Sequence, residues 1–210
     1  MAGLILWGVG TSRTLRAHWA LCFLGLNYET RVIRTRTPEM ESEEYRSINP
    51  RGKVPTLQDG ELTLTESPAI VTYLAETYST VEKALIPTQK SARAEFFEWL
   101  SFISMELDAT SLYVLRRHEG LPEIYGPAPD ACQVAREYFH RMITAGSLRL
   151  KDGRRFLVGD DFTGVDILMT TCLDWAKRYG MSLPPAFSSY RSRIDDEPST
   201  ALAFAANAVK

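Results

Sequence analysis

The chain has little of what marks a stapled, metal-bound or membrane-embedded protein. Its 210 residues include three cysteines, Cys22, Cys132 and Cys172, odd in number, widely separated and without Cys-x-x-Cys spacing. That pattern argues against a disulfide framework, a zinc ribbon or a dithiol redox motif, and buried thiols in a reducing compartment are expected. His18, His118 and His140 stand alone, with no His-Glu-x-x-His spacing, so no metal site is expected. No stretch approaches the roughly 18 apolar residues of a membrane helix, so no membrane partner is expected. The apolar start, residues 1–10, is short and lacks a basic leader, and it reads as a buried strand rather than a signal peptide; a cytoplasmic address follows as the default. With 24 basic and 26 acidic residues the net charge is −2, which supplies no field to gather nucleic acid. Dinucleotide, P-loop, nucleophile-elbow and zinc-finger patterns are also missing, so no nucleotide cofactor is implied.

What is present is an ordinary globular composition, 45% apolar and 24% charged, over a length that allows one large or two modest domains. The first eighty residues change period repeatedly. Leu4–Trp7 and residues 28–33 read as strands, and between them Leu15, His18, Trp19, Cys22, Phe23 and Leu26 recur at helical spacing, with Gly25 as the stop. That is one βαβ unit, which implies a parallel strand pair. Residues 35–48 have room for one short helix. Residues 54–57 and 62–65 then flank Asp59-Gly60, a hairpin signal. Ser67 is placed as an N-cap and Pro68 at the first helical position, before a stripe of Ile70, Val71, Leu74 and Tyr78.

Beyond residue 79 strand signals nearly vanish. Phe96, Trp99, Leu100, Ile103, Leu107 and Val114 predict one long helix, and Val134, Tyr138 and Met142 a second after a Gly- and Pro-rich break. Thr163 and Asp166 form a capping-box signature for a third, flanked by Phe162 and Ile167. A last amphipathic piece covers residues 187–204, interrupted at Pro198. The expected division is 1–80, a linker 81–90, and an all-helical 91–210.

Four stretches sharpen this order: Gly10-Thr11-Ser12-Arg13-Thr14-Leu15-Arg16, Asn49-Pro50-Arg51-Gly52-Lys53-Val54-Pro55-Thr56-Leu57, Glu66-Ser67, and Phe162-Thr163-Gly164-Val165-Asp166-Ile167. With these the chain resembles, over essentially its whole length, the cytosolic glutathione transferase family, and in particular bacterial members of the serine type. The resemblance implies an α/β plus all-α fold: a thioredoxin-like N-terminal domain and a C-terminal helical bundle. It also implies a homodimer that uses glutathione as cosubstrate, with no covalently bound cofactor, and a small hydrophobic electrophile. By the same resemblance Pro55 is cis and turns the Val54 backbone toward the cysteinyl part of glutathione, Glu66 and Ser67 take the γ-glutamyl end, and Lys53 reaches the glycine carboxylate. Glu106, Asp108 and Leu112 are the implied pocket residues, with Glu106 nearer a partner subunit. The Thr163 and Asp166 box is implied to be a folding element.

The chemistry asked of such a site is to favour a thiolate near neutral pH. Ser12 lies between the first strand and the first helix, where a hydroxyl and main-chain N–H groups meet the positive end of a helix dipole. A hydrogen bond to a charged group is worth about 1.5–3 kcal/mol and the dipole about 0.3–1 kcal/mol, together enough to bring a thiol from about 8.5 to roughly 6 or 7. The competing role for Ser12 is simply to cap the helix, and Thr11 beside it is equally able to donate. The same anion can attack a carbon, reduce a peroxide or isomerise a double bond. A non-catalytic binding or regulatory protein on the same fold is the alternative.

Overall fold

The computed structural model describes residues 3–209. Their contacts separate two compact units, one running to Ile86 and including the chain from Asp195 onward, the other covering Pro87–Ile194. The last segment thus groups in space with the first unit, a grouping that helical periodicity does not reveal.

The first unit is built on a four-stranded sheet in the order β2-β1-β3-β4, with β1 Leu4–Trp7, β2 Tyr28–Arg31, β3 Thr56–Asp59 and β4 Leu62–Thr65. β1 runs parallel to β2 and antiparallel to β3, and β4 closes a hairpin. The parallel pair is the one the βαβ spacing demands, with helix α1, Ser12–Leu24, as the crossover. Gly25 ends α1 in the left-handed conformation, at φ 69°. β3 begins two residues later than the sequence pattern suggests, because Pro55 has no N–H to give a ladder. The hairpin loop is Gly60-Glu61 rather than Asp59-Gly60: Asp59 still pairs with Leu62, and Gly60 alone carries the positive φ, 59°, that the first central position of a type II′ turn requires.

Side chains alternate across β1. Trp7 packs with Tyr45 and Ile33 on one face, joined by Ile5 and Ile48, while Leu4 and Leu6 are buried on the other. Tyr45 and Ile48 come from α2, Glu43–Ile48, a short helix preceded by a 3₁₀ turn. Helix α3, Ser67–Tyr78, packs on α1 and on the hairpin. Its cap is Glu66, not Ser67: the first α-helical bond runs from the Ile70 N–H to the Glu66 carbonyl, which moves Ser67 to the first helical position and Pro68 to the second.

The second unit is helical. α4, Lys90–Phe102, continues without a break through a π-helical stretch, Ile103–Leu112, into α5, Tyr113–His118. The single regular helix expected here is therefore corrected in its pitch. Two hydroxyls bond to carbonyls five residues back, Thr110 Oγ1 to Met105 at 2.7 Å and Ser111 Oγ to Glu106 at 3.0 Å, stitching the widened turns in place. After the short α6, Pro122–Tyr125, come α7, Pro129–Ser147, α8, Gly164–Arg178, and α9, Pro185–Asp195. α10, Pro198–Ala206, returns to the first unit and lies on α1.

Asp166 organises the second unit. Fully buried at the first turn of α8, its carboxylate accepts from the Thr163 N–H (2.8 Å), the Thr163 hydroxyl (2.9 Å), the Leu157 N–H (3.0 Å) and the Tyr190 hydroxyl (2.7 Å). Burial pushes the carboxyl pKa up, and these donors pull against it. The group thus ties the loop before α8 and helix α9 to one point. Replacing Asp166 with Ala strands several buried donors, so urea denaturation should show a loss of about 3 kcal/mol or more; a loss under about 1 kcal/mol would remove Asp166 from this role.

Candidate active site

The turn between β1 and α1 is shaped by glycine. Gly8 sits at φ 107°, and a Cβ there would lie 2.5 Å from the Val54 Cβ and 3.0 Å from the Thr14 Cγ2, so only hydrogen fits. The buried His18 imidazole reaches back from α1 to this residue. Its Nε2 is 3.1 Å from the Gly8 carbonyl and its Nδ1 2.8 Å from the Tyr28 hydroxyl. A carbonyl only accepts, so Nε2 carries the proton and Nδ1 accepts from Tyr28.

Thr11, at φ −124°, is the N-cap of α1. Its Oγ1 accepts from the Thr14 N–H at 3.0 Å, and the Thr14 Oγ1 accepts from the Thr11 N–H at 2.9 Å, a reciprocal box built from two threonines. Capping therefore belongs to Thr11, and Ser12 stands one position further on, half-buried in the first helical turn. Thr14 Oγ1 has one proton and lies nearest the Asn207 Oδ1, at 2.6 Å. Spending the proton there leaves Thr14 Oγ1 as acceptor for the Thr11 hydroxyl at 3.0 Å.

The loop before β3 is held by buried polar groups. Asn49 Nδ2 donates to the Lys53 carbonyl (2.8 Å) and to Thr56 Oγ1 (3.1 Å), its Oδ1 accepts from the Arg51 N–H (3.1 Å), and the Tyr45 hydroxyl also bonds to the Lys53 carbonyl and to Thr56. The Val54–Pro55 peptide is cis. Among the described residues no main-chain hydrogen bond takes up the Val54 N–H or carbonyl. The Lys53 side chain is exposed and pairs with no carboxylate of the described residues.

At the head of α3, Glu66 adopts φ 68° and ψ 112°, a conformation that costs a non-glycine residue about 1–3 kcal/mol. Its exposed carboxylate pairs with Arg51 Nη1 at 2.8 Å, a surface pair worth no more than about 1 kcal/mol. Ser67 is buried, and its hydroxyl accepts from the buried Arg16 of α1 at 3.3 Å. Three segments distant in sequence are thus linked pairwise: the β1–α1 turn to the loop through Gly8 and Val54, α1 to the head of α3 through Arg16 and Ser67, and the loop to the same head through Arg51 and Glu66.

The remaining implied residues lie in the second unit, on the π-helical stretch. Leu112 is fully buried and Asp108 nearly so. Glu106 is half-buried and accepts from the Tyr138 hydroxyl, which raises the phenol's pKa. All three residues lie on the π-helical stretch, where a spacing of four falls short of one full turn. A hollow of about 460 Å³ in this unit is lined elsewhere, by Gln89, Glu95, Asp152, Arg154 and Asp160 among others, and none of the three pocket residues reaches it.

Known proteins match this architecture. The N-terminal domain model of glutathione S-transferase covers residues 2–76 and the C-terminal domain model residues 102–198. A glutathione S-transferase of Xanthomonas campestris is 30% identical over 175 residues, 81% of each chain. A glutathione transferase structure from Methylococcus capsulatus superposes with a TM-score of 0.82 at 25% identity, over 97% of this chain and 98% of that one. A theta class glutathione S-transferase from Xanthomonas axonopodis, solved with glutathione bound, gives 0.80 at 24% identity over 100% and 99% of the two chains. A thioredoxin-like sheet unit followed by a helical unit, with both domain models in register, defines the class. The chain belongs to the glutathione S-transferase family.

Sequence reasoning passed over His18, Arg16, Arg51 and Asn207. Arg16 and Arg51 sit within two of the four motifs and His18 in the periodic stripe of α1, but nothing in their spacing shows where the side chains go; Asn207 is almost two hundred residues from the turn it touches. His18 has a titration consequence. Burial pushes its imidazole below the usual histidine pKa, against a smaller upward pull from the Gly8 carbonyl. The unfolded chain, with histidine near 6.5, then binds more protons than the folded one, so this stability contribution is complete above about pH 6.5 and is lost as pH falls through the lower folded value. The parent protein should therefore lose more stability between about pH 7 and about pH 5 than the His18→Gln variant does, measured by denaturant titration; equal losses would contradict it.

Proposed function

We propose that the chain is a glutathione transferase whose first unit binds glutathione and whose Ser12 hydroxyl donates to the sulfur, holding it as the thiolate that attacks a hydrophobic electrophile. The observation that carries this reading is the pairwise linkage of the α1 head, the cis-proline loop and the α3 head in a single unit. Each offers what one part of a tripeptide thiol requires. The Val54 main chain has an N–H and a carbonyl to exchange with a peptide. The head of α3 has N–H groups for a carboxylate and the Glu66 carboxylate for an ammonium, with Lys53 at hand for the second carboxylate. The head of α1 offers hydroxyls at the positive end of a dipole.

Thr11 and Ser12 divide the work. The Thr11 oxygen is engaged by the Thr14 N–H and its proton by Thr14 Oγ1, whereas Ser12, at the first helical position, is not a member of the Thr11–Thr14 box. A donor to the anion together with the dipole supplies about 2–4 kcal/mol, or roughly 1.5 to 3 units of thiol pKa. The bound glutathione serves as cosubstrate and the chain supplies no covalent cofactor. The protein acts as a homodimer in the cytoplasm, where glutathione is plentiful; no helix among the described residues is long and apolar enough to cross a membrane. Of the implied pocket residues on the helical unit, Glu106 is the one left partly accessible, Asp108 and Leu112 being buried. Peroxide reduction or double-bond isomerisation by the same anion would need no further group from the chain.

Titration of thiolate absorbance of bound glutathione tests the reading. The parent should hold the thiol at a pKa of about 6–7, and Ser12→Ala should raise it by about 1–2 units while conjugation of an aromatic halide falls at least about tenfold. Thr11→Ser should leave the titration in place, because it keeps the cap. An unmoved titration in Ser12→Ala, with a rise in Thr11→Ala, would transfer the role to Thr11, and glutathione binding without turnover over a broad electrophile panel would favour a non-catalytic binding protein.

A further inference from the structure

The segment that follows α10 returns to the first turn of the chain. Asn207, just beyond α10, bonds to three residues of the α1 head. The Gly10 N–H donates both to the Asn207 carbonyl (2.9 Å) and to its Oδ1 (3.1 Å), Thr14 Oγ1 donates to the same Oδ1 (2.6 Å), and Asn207 Nδ2 donates to the Thr11 carbonyl (3.2 Å). The amide's orientation is fixed by these partners, since a flipped side chain would set NH₂ against two donors and oxygen against a carbonyl. Asn207 reaches this position because α10 is docked independently, through Trp19 Nε1 donating to Ser199 Oγ at 2.9 Å and through the edge contact of Trp19 with Phe204.

Building on the function proposed above, we infer that Asn207 is a positioning residue for the thiolate-holding turn, so that the C-terminal segment is a working part of the glutathione site. Its Oδ1 takes the single proton of Thr14 Oγ1, which makes that oxygen an acceptor and turns the Thr11 hydroxyl inward as its donor. Without Asn207, the Thr14 proton has two acceptors left, the Thr11 carbonyl at 2.9 Å and Thr11 Oγ1 at 3.0 Å, and the second choice reverses the bond between the two hydroxyls. That carbonyl also accepts the first bond of α1, from Leu15 at 3.0 Å. The Gly10 N–H loses one of its two acceptors at the same time. Asn207 thereby sets the hydrogen-bond directions on both sides of Ser12 and acts on the sulfur only through the turn. The γ-glutamyl end is bound by α3, which Asn207 does not touch, so affinity and ionisation separate.

The test compares full-length parent, Asn207→Ala and Ser199→Ala by thiolate titration of bound glutathione, with calorimetric affinity and melting temperature alongside. Asn207→Ala should raise the bound thiol's pKa by about one unit, a tenfold loss of thiolate below it, while glutathione affinity stays within about threefold. Ser199→Ala loosens α10 without touching the turn and should leave the titration in place. An unmoved titration in Asn207→Ala overturns the proposal, as does an equal rise in both variants, which would make docking of α10 the cause. A parent whose bound glutathione titrates like free glutathione would instead refute the transferase reading, and this proposal with it. An unmoved Asn207→Ala in a parent with a lowered thiol pKa refutes this proposal alone.

Discussion

The hydrogen bond from the Thr14 N–H to Thr11 Oγ1 decides what the other groups at the head of α1 are free to do. A helix start leaves several N–H groups without intrahelical partners, and one hydroxyl cannot both satisfy them and serve another anion equally well. By assigning the cap to Thr11, the structure separates the structural duty from the chemical one proposed for Ser12. The box between the two threonines makes this assignment firm, because each side chain accepts from the other's main chain.

The turn that carries these hydroxyls is held at three points. His18 bonds to the Gly8 carbonyl from within α1, Val54 crowds the missing side chain of Gly8, and Asn207 bonds to Gly10, Thr11 and Thr14. Each contact is modest by itself. Together they fix a short polar turn, so that little ordering would be left for the thiolate proposed to form there, the situation in which preorganised donors have their largest effect.

Much of this was legible in the chain. The βαβ unit, and the hairpin apart from a one-residue shift of its loop, fall where periodicity and turn residues put them, because each depends on neighbours within a few residues. The capping box of Thr163 and Asp166 reads correctly for the same reason, although the Tyr190 bond to Asp166 does not. What sequence misplaced has local causes of its own. Pro55 delays β3 for want of an N–H, the α3 cap falls one residue earlier, at Glu66 with its positive φ, and the helix is widened at residues 103–112, where two hydroxyls bond to carbonyls five back. What it missed outright is long-range: Arg16 on Ser67, and Asn207 on the first turn, are tertiary contacts that no spacing rule encodes.

The most direct measurement is a crystal structure of the chain with reduced glutathione. The sulfur should lie within hydrogen-bonding distance of Ser12 Oγ, with the cysteinyl main chain paired to Val54 and the γ-glutamyl group at Glu66 and Ser67. A sulfur facing away from the head of α1, or a tripeptide seated elsewhere than along these three segments, would contradict it.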